Sequence, residues 1–273
     1  APPRRPWPAW GWAALAWTAG WWVLAWSRFA WFAPLQPFTF LPLWLGFIAA
    51  FRALAWRRGA APPRRLAALF AASAGFWWGF EWLDRFTGNW RYLGIERFGP
   101  LGYALNATLC FSTVLPAVAA ARDWIGTHPR WNARMRSGPA APWLRHPAAG
   151  ALLGAGGLAG LFFAGARPAQ AYPALWAAPL ALAFAAGILG RRPGIWSDLA
   201  RGDWRRAGSW AAAGLLCGFF WELWNWRSLA RWAYAVPYAD RWHVFAMPAP
   251  GFAGYLPFGL ECLLACALAG AGD

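Results

Sequence analysis

Eight apolar runs, separated by arginine clusters and turn residues, constrain this chain more than any other feature of its sequence. A helix needs about 20 apolar residues to cross a bilayer. Runs of that order occupy residues 9–33, 39–56, 66–83, 99–121, 147–165, 171–190, 207–226 and 251–270. The hydrocarbon core offers the backbone no hydrogen-bond partner, so segments of this length can cross it only as helices. Composition agrees: 60% of residues are hydrophobic and 13% charged, against roughly 45–50% and 25% in soluble domains. The expected fold class is an all-α integral membrane protein of about eight transmembrane helices. No run is interrupted at its middle. No cleavable signal peptide is expected, because the first run is long enough to span and no short h-region with a cleavage site precedes it.

The basic residues, 25 in all, are arginines, and the net charge is +15. In a soluble chain that balance points to nucleic acid. Here the arginines alternate between the two sides of the runs. One side holds Arg4 and Arg5, the group from Arg52 to Arg65, the group from Arg122 to Arg145 and the group from Arg191 to Arg206. The other holds Arg28, Arg85, Arg91, Arg97, Arg167, Arg227, Arg231 and Arg241. The richer side is cytoplasmic by the positive-inside rule. The expectation is a multi-pass protein of a bacterial inner (plasma) membrane with cytoplasmic termini, whose partner is the bilayer and not nucleic acid. The turn Arg57-Arg58-Gly59-Ala60-Ala61-Pro62-Pro63-Arg64-Arg65 cannot lie in hydrocarbon and divides the second run from the third. The 26 tryptophans suit interfacial belts.

Motifs recur in the same order along the two halves. Glu81-x-x-Asp84 ends the third run and Glu222-x-x-Asn225 the seventh. Trp90-Arg-Tyr92 and Trp232-Ala-Tyr234 follow in the outer loops. Gly102-Tyr103 and Gly254-Tyr255 open the fourth and eighth runs, each followed by Cys110 or Cys262. Leu43-Trp44 likewise matches Leu175-Trp176. The order predicts two parallel four-helix repeats, residues 1–122 and 147–273, joined by a basic cytoplasmic loop over 123–146. Four helices per repeat is an even number, so the symmetry axis runs along the membrane normal.

An i,i+3 spacing puts Glu81 with Asp84, and Glu222 with Asn225, on one helix face. Glu81 and Glu222 are candidate acid/base or anchoring groups, with Asp84 and Asn225 orienting them. Glu261 lies inside the last run, where a desolvated carboxyl group suits a proton donor. Its structural alternative is a hydrogen bond to a neighbouring helix, at Asn106 or Thr113. The candidate catalytic residues are therefore Glu81, Glu222 and Glu261. Candidate substrate-binding residues are Asp84, Asn225, Trp90, Tyr92, Asn106, Trp232, Tyr234 and His243. The outer loop from Trp232 to Phe252, stiffened by Pro237, Pro248 and Pro250, forms a candidate lid. Cys110, Cys217, Cys262 and Cys266 fall in apolar runs without metal spacing and read as small hydrophobes. No nucleotide loop, catalytic serine elbow or metal motif is present, so no cofactor and no metal is expected.

Trp232-Ala-Tyr234 followed by Gly254-Tyr255-Leu256-Pro257-Phe258-Gly259-Leu260-Glu261 resembles the all-helical membrane lycopene cyclases of carotenoid synthesis. That family carries a Trp-x-aromatic element, then a Pro and acidic residues within a membrane helix. The resemblance implies a hydrophobic polyene or isoprenoid ligand. Three functions fit these residues: binding or modifying a lipid-like substrate between the repeats near the outer leaflet, proton-coupled transport, and a non-catalytic scaffold for membrane assembly.

Overall fold

The computed structural model describes residues 4–61, 65–236, 238 and 241–271. Pro62, Pro63 and Arg64 of the charged turn, and Pro237 of the outer loop, lie outside the described residues. The chain is mostly helical. Its elements are α1 (Ala9–Trp26), α2 (Phe40–Arg57), α3 (Leu66–Thr87), β1 (Trp90–Leu93), α4 (Pro100–Phe111), α5 (Val114–Gly126), α6 (Pro129–Met135) and α7 (Pro147–Ala166), followed by α8 (Pro168–Ala171), α9 (Ala174–Leu189), α10 (Ile195–Ala200), α11 (Arg205–Arg227), β2 (Arg231–Tyr234), β3 (His243–Val244), β4 (Met247–Pro248) and α12 (Tyr255–Leu268).

Four helical stretches are long and apolar enough to cross a membrane: Gln36–Arg57, Pro100–Gly126, Pro147–Ala166 and Ala249–Leu268. Their outward faces agree with that solvent. On α7, Leu152 is 74% exposed, and Leu158, Phe162 and Phe163 are exposed beside it; α4 presents Leu101, Leu105 and Leu109 in the same way. A soluble monomer rarely leaves apolar surface this continuous in water.

Packing is organised around α11, which lies against α12, α5 and α1. α2 packs on α1 and α5, α7 on α9 and α3, and α12 on α9 and α3. The core between these helices is largely aromatic. Trp44 is fully buried, tilted over Trp221 at 4.9 Å between ring centroids. Trp176 stacks on Phe80 at 5.3 Å. Such ring pairs add about 0.5–1.5 kcal/mol beyond the area they bury.

Three sequence boundaries move. The run 9–33 is not one helix: α1 stops at Trp26, where Ser27 turns extended and its amide bonds the Val23 carbonyl, and a short 3₁₀ turn over Ala30–Phe32 follows. The run 99–121 is interrupted at Ser112 and Thr113. Pro116 has no amide to donate, and the missing backbone bond between Phe111 and Leu115 is replaced by Ser73 of α3. The Ser73 hydroxyl donates to the Phe111 carbonyl at 2.6 Å and accepts from the Leu115 amide at 3.0 Å. A side chain inserted into a helix ladder is a recognised cause of a break. Finally, a repeat boundary at 122 cuts α5, which continues through Asp123 and Trp124 to Gly126.

The segment 123–146 is also more than a loop. It contains α6 and docks on the connection before α11, through Gly138 to Gly202, Ala141 to Leu199 and Trp204 to Met135 backbone bonds. Asp123 pairs with Arg52 and Arg122, and Asp198 with Arg201 and Arg206. Two hydrogen bonds from the Arg205 side chain and one from its amide hold the Asp203 carboxyl down at about 2.

Candidate functional site

The ends of α3 and α11 and the strands that follow them build one site. α3 closes on Gly88, whose left-handed φ of 61° lets the chain reverse, and the Gly88 amide bonds the Asp84 carbonyl at 2.7 Å. The Asp84 side chain then accepts from the Asn89 amide at 2.7 Å and from the Thr87 hydroxyl at 3.1 Å, which starts β1. Asn225 does the same for β2: its Oδ1 accepts from the Trp232 amide and its Nδ2 donates to the Trp232 carbonyl, both at 2.8 Å.

β1 and β2 pair antiparallel, with Trp90 opposite Tyr234 and Tyr92 opposite Trp232. Each Trp-x-Tyr motif therefore lies on the reversed copy of the other. Alternation along a strand puts Trp90 and Tyr92 on one face of the ribbon. Both reach Glu81, Tyr92 by its hydroxyl at 2.6 Å and Trp90 by its indole N–H at 3.1 Å. Trp77, one turn before Glu81 on α3, donates to the same carboxylate oxygen at 2.9 Å. At Glu222 the donors are the Tyr234 and Tyr255 hydroxyls, each at 2.6 Å, while Trp232 donates to the Tyr234 oxygen at 2.8 Å. Burial, and then the adjacent carboxylate, push the Tyr92 and Tyr234 phenols well above their ordinary pKa of 10. Both therefore stay protonated donors.

Beside the ribbon is a cavity of about 420 Å³, within the usual range for small-ligand sites. Its wall is aromatic, with Trp77, Trp90, Trp176, Trp221, Trp232 and Phe258, and carries polar atoms from Tyr92, Tyr103, Tyr234, Tyr255 and Asn106. Met247, Pro248 and Pro250 of the outer loop contribute to the same wall.

The structure thus gathers Trp90, Tyr92, Asn106, Trp232 and Tyr234 at one cavity. It does not bring the acidic candidates to its surface. Glu222 is fully buried behind Tyr234 and Tyr255, and Glu81 stands behind Tyr92, Trp90 and Trp77. Asp84 and Asn225 bond the backbone of the strands instead of orienting the glutamates, because three residues of helix carry their short side chains past the carboxylates to the chain reversal. Glu261 is buried away from the cavity, with the Leu180 amide of α9 facing its carboxyl. Neither expected partner reaches it: Thr113 bonds the Cys110 carbonyl, and Asn106 lies on the cavity wall. His243 is exposed on β3, outside the cavity.

Sequence reasoning did not assign Trp77, Tyr103, Trp176 or Tyr255 to the site. Trp77 was findable, since i,i+4 spacing from Glu81 puts both on one face. The two tyrosines were visible as repeat markers only. Among the described residues no group of three His, Cys, Asp or Glu side chains is placed to hold a metal ion. The chain matches no protein-family model, no curated protein and no solved structure.

Proposed function

We propose that this is an eight-span membrane protein of two four-helix halves, and that it binds or modifies a lipid-like, isoprenoid or polyene-type molecule in the cavity at their seam, near the outer leaflet. The observation that carries this reading is the cavity itself: a largely aromatic space between α4, α9, α11, α12 and the β1–β2 ribbon, whose few polar groups are neutral except for the exposed Arg231. Such a wall favours an apolar molecule and offers a charged one little compensation for lost hydration.

The reading of two halves draws on paired features. Each of the eight apolar runs falls on helix. α1 packs on α11 as α7 packs on α3, and α2 meets α5 as α9 meets α12. Trp44 rests on Trp221 as Trp176 rests on Phe80. The self-complementary register of the ribbon is what a two-fold axis through it produces. The arginine alternation assigns the ribbon end to the outer side.

The protein purified from a polyene-accumulating bacterium should carry a stoichiometric apolar lipid in its organic extract, identifiable by mass spectrometry. Expression there should also shift the cell's pigment or isoprenoid profile if the molecule is modified. An extract holding only bulk phospholipid, with an unchanged profile, would remove this reading.

A further inference from the structure

The two glutamate sites occupy like positions but are closed to different degrees. On α11, Gly214 and Gly218 lie against Tyr255 and Gly259 of α12. A Cβ on Gly214 would strike the Tyr255 carbonyl and the Gly259 backbone, one on Gly218 the Tyr255 ring, and one on Gly259 the Trp210 carbonyl. This close approach is what lets the Tyr255 hydroxyl reach Glu222 at 2.6 Å. Counting back from the glutamates, α3 has Ser73 where α11 has Gly214, and Trp77 where it has Gly218. Ser73 ties α3 to the break between α4 and α5. Nearer the ribbon, the Trp77 indole occupies the volume that glycine leaves free, and its N–H takes a place on Glu81.

Tyr103 is therefore displaced from the bond that its counterpart Tyr255 makes. Its ring lies 6.3 Å from that of Tyr92, it lines the cavity, and its hydroxyl makes no hydrogen bond among the described residues. One turn further along the same face of α4, the Asn106 side chain also lines the cavity without a hydrogen bond. Its counterpart on α12 is Phe258, 1% exposed. The N-terminal half thus presents the Tyr103 phenol and two carboxamides, Asn106 and the buried Asn89, with open bonding capacity to a largely aromatic space, and α12 presents no phenol or carboxamide in that state.

We propose that the polar head of the ligand binds at Tyr103 and Asn106, and that this head is a neutral hydroxyl or carbonyl oxygen. This rests on the lipid-binding reading above and specifies its substrate class: an apolar molecule with one neutral oxygenated end. The phenol O–H and carboxamide N–H donate to such an oxygen, and the carboxamide oxygen accepts from a hydroxyl. An anionic head is disfavoured because the Glu81 carboxylate stands behind Tyr92 on the same side. Arg231, the cation of the cavity wall, is exposed. A site built around polar atoms discriminates against an analogue that leaves them unpaired.

Three probes test the assignment on the full chain in detergent, read by quenching of tryptophan emission: the polyene alcohol retinol, the corresponding acid, and the deoxy hydrocarbon with the same skeleton. Retinol should bind at least tenfold more tightly than either of the others. Tyr103→Phe combined with Asn106→Leu should remove that preference while leaving hydrocarbon binding within twofold, and retained hydrocarbon binding shows that the variant still folds. Tyr255→Phe should leave the preference intact. Equal affinities for alcohol and hydrocarbon, tighter binding of the acid, or a preference that survives the double substitution would each overturn the assignment while leaving the cavity as a lipid site. Failure of all three probes to bind the unmodified protein would overturn the parent reading and this one together.

Discussion

At Glu222 two phenols meet one carboxylate oxygen inside a tightly packed helix pair; at Glu81 one phenol and two indoles meet the carboxylate beside an open space. Both arrangements use a Glu within the last two turns of its helix and a Trp-x-Tyr strand beyond it. The difference traces to the residue four positions before each glutamate, Gly218 on one helix and Trp77 on the other. Glycine admits the Tyr255 ring against the helix. Tryptophan holds the corresponding ring off and supplies the hydrogen bond the excluded tyrosine would have made. One motif thus serves as a clasp at the end of α11 and as part of a cavity wall at the end of α3.

The comparison breaks most directly at the glycines. Gly259→Ala should cost about 3 kcal/mol, at the upper end for overpacking, because the new methyl meets the Trp210 main chain, which has no rotamer to yield. Gly79→Ala on α3 opens into free space and should hold or slightly raise stability through helix propensity. Equal melting temperatures for the two variants in detergent would show that the close approach of α11 to α12 is unimportant.

Removing the acceptors comes next. Glu222→Gln leaves two buried phenols competing for a neutral acceptor and should cost about 2 kcal/mol, while Glu81→Gln, at a site less completely buried, should cost about 1. Denaturant titrations of both variants read the difference, and a larger loss at Glu81 would reverse the roles of clasp and wall.

The tyrosines sharpen the same contrast at smaller scale. Tyr255→Phe should cost about 1 kcal/mol for its hydrogen bond, whereas Tyr103→Phe should move the melting temperature very little. A matched loss at both positions would mean that Tyr103 bonds Glu81 after all.

The smallest effect lies at the helix starts. α11 begins beside the Asp203–Arg205 bridge and α3 beside Arg65 in a left-handed conformation, φ 55°. With its carboxyl held at about 2 against an ordinary 3.8, Asp203 stabilises the fold above pH 4, and that contribution fades as pH falls towards 2. Solvent screening keeps it small. Asp203→Asn should therefore melt slightly lower than the parent at neutral pH and coincide with it near pH 2.

Much of this was legible beforehand, and the exceptions have physical reasons. Apolar runs mark helices because length and burial of the backbone leave no other structure in hydrocarbon. The Trp-x-Tyr motifs announced a shared site because their order repeats. Hidden from view were relations that cross the molecule. Ser73 reads as an ordinary small residue on α3, yet it completes the hydrogen bonding of a different helix forty residues later. Glu261 reads as the most conspicuous buried acid, yet its side of α12 faces α9 and not the cavity. Asp84 and Asn225 share a face with the glutamates, but helix spacing alone does not say which neighbour each carboxylate or amide will bond.

The sequence by itself determined a helical, tryptophan-rich chain with membrane-length apolar helices, and it placed two like motifs at the ends of α3 and α11. Only the tertiary structure decided that the glutamates stand behind the tyrosines, and that Tyr255 closes on Glu222 while Tyr103 is left facing the cavity. Periodicity and charge are properties of each segment and survive in the one-dimensional record. The distance between α3 and α4, against that between α11 and α12, depends on which side chain fills the gap once the helices pack, and no segment read alone contains that gap.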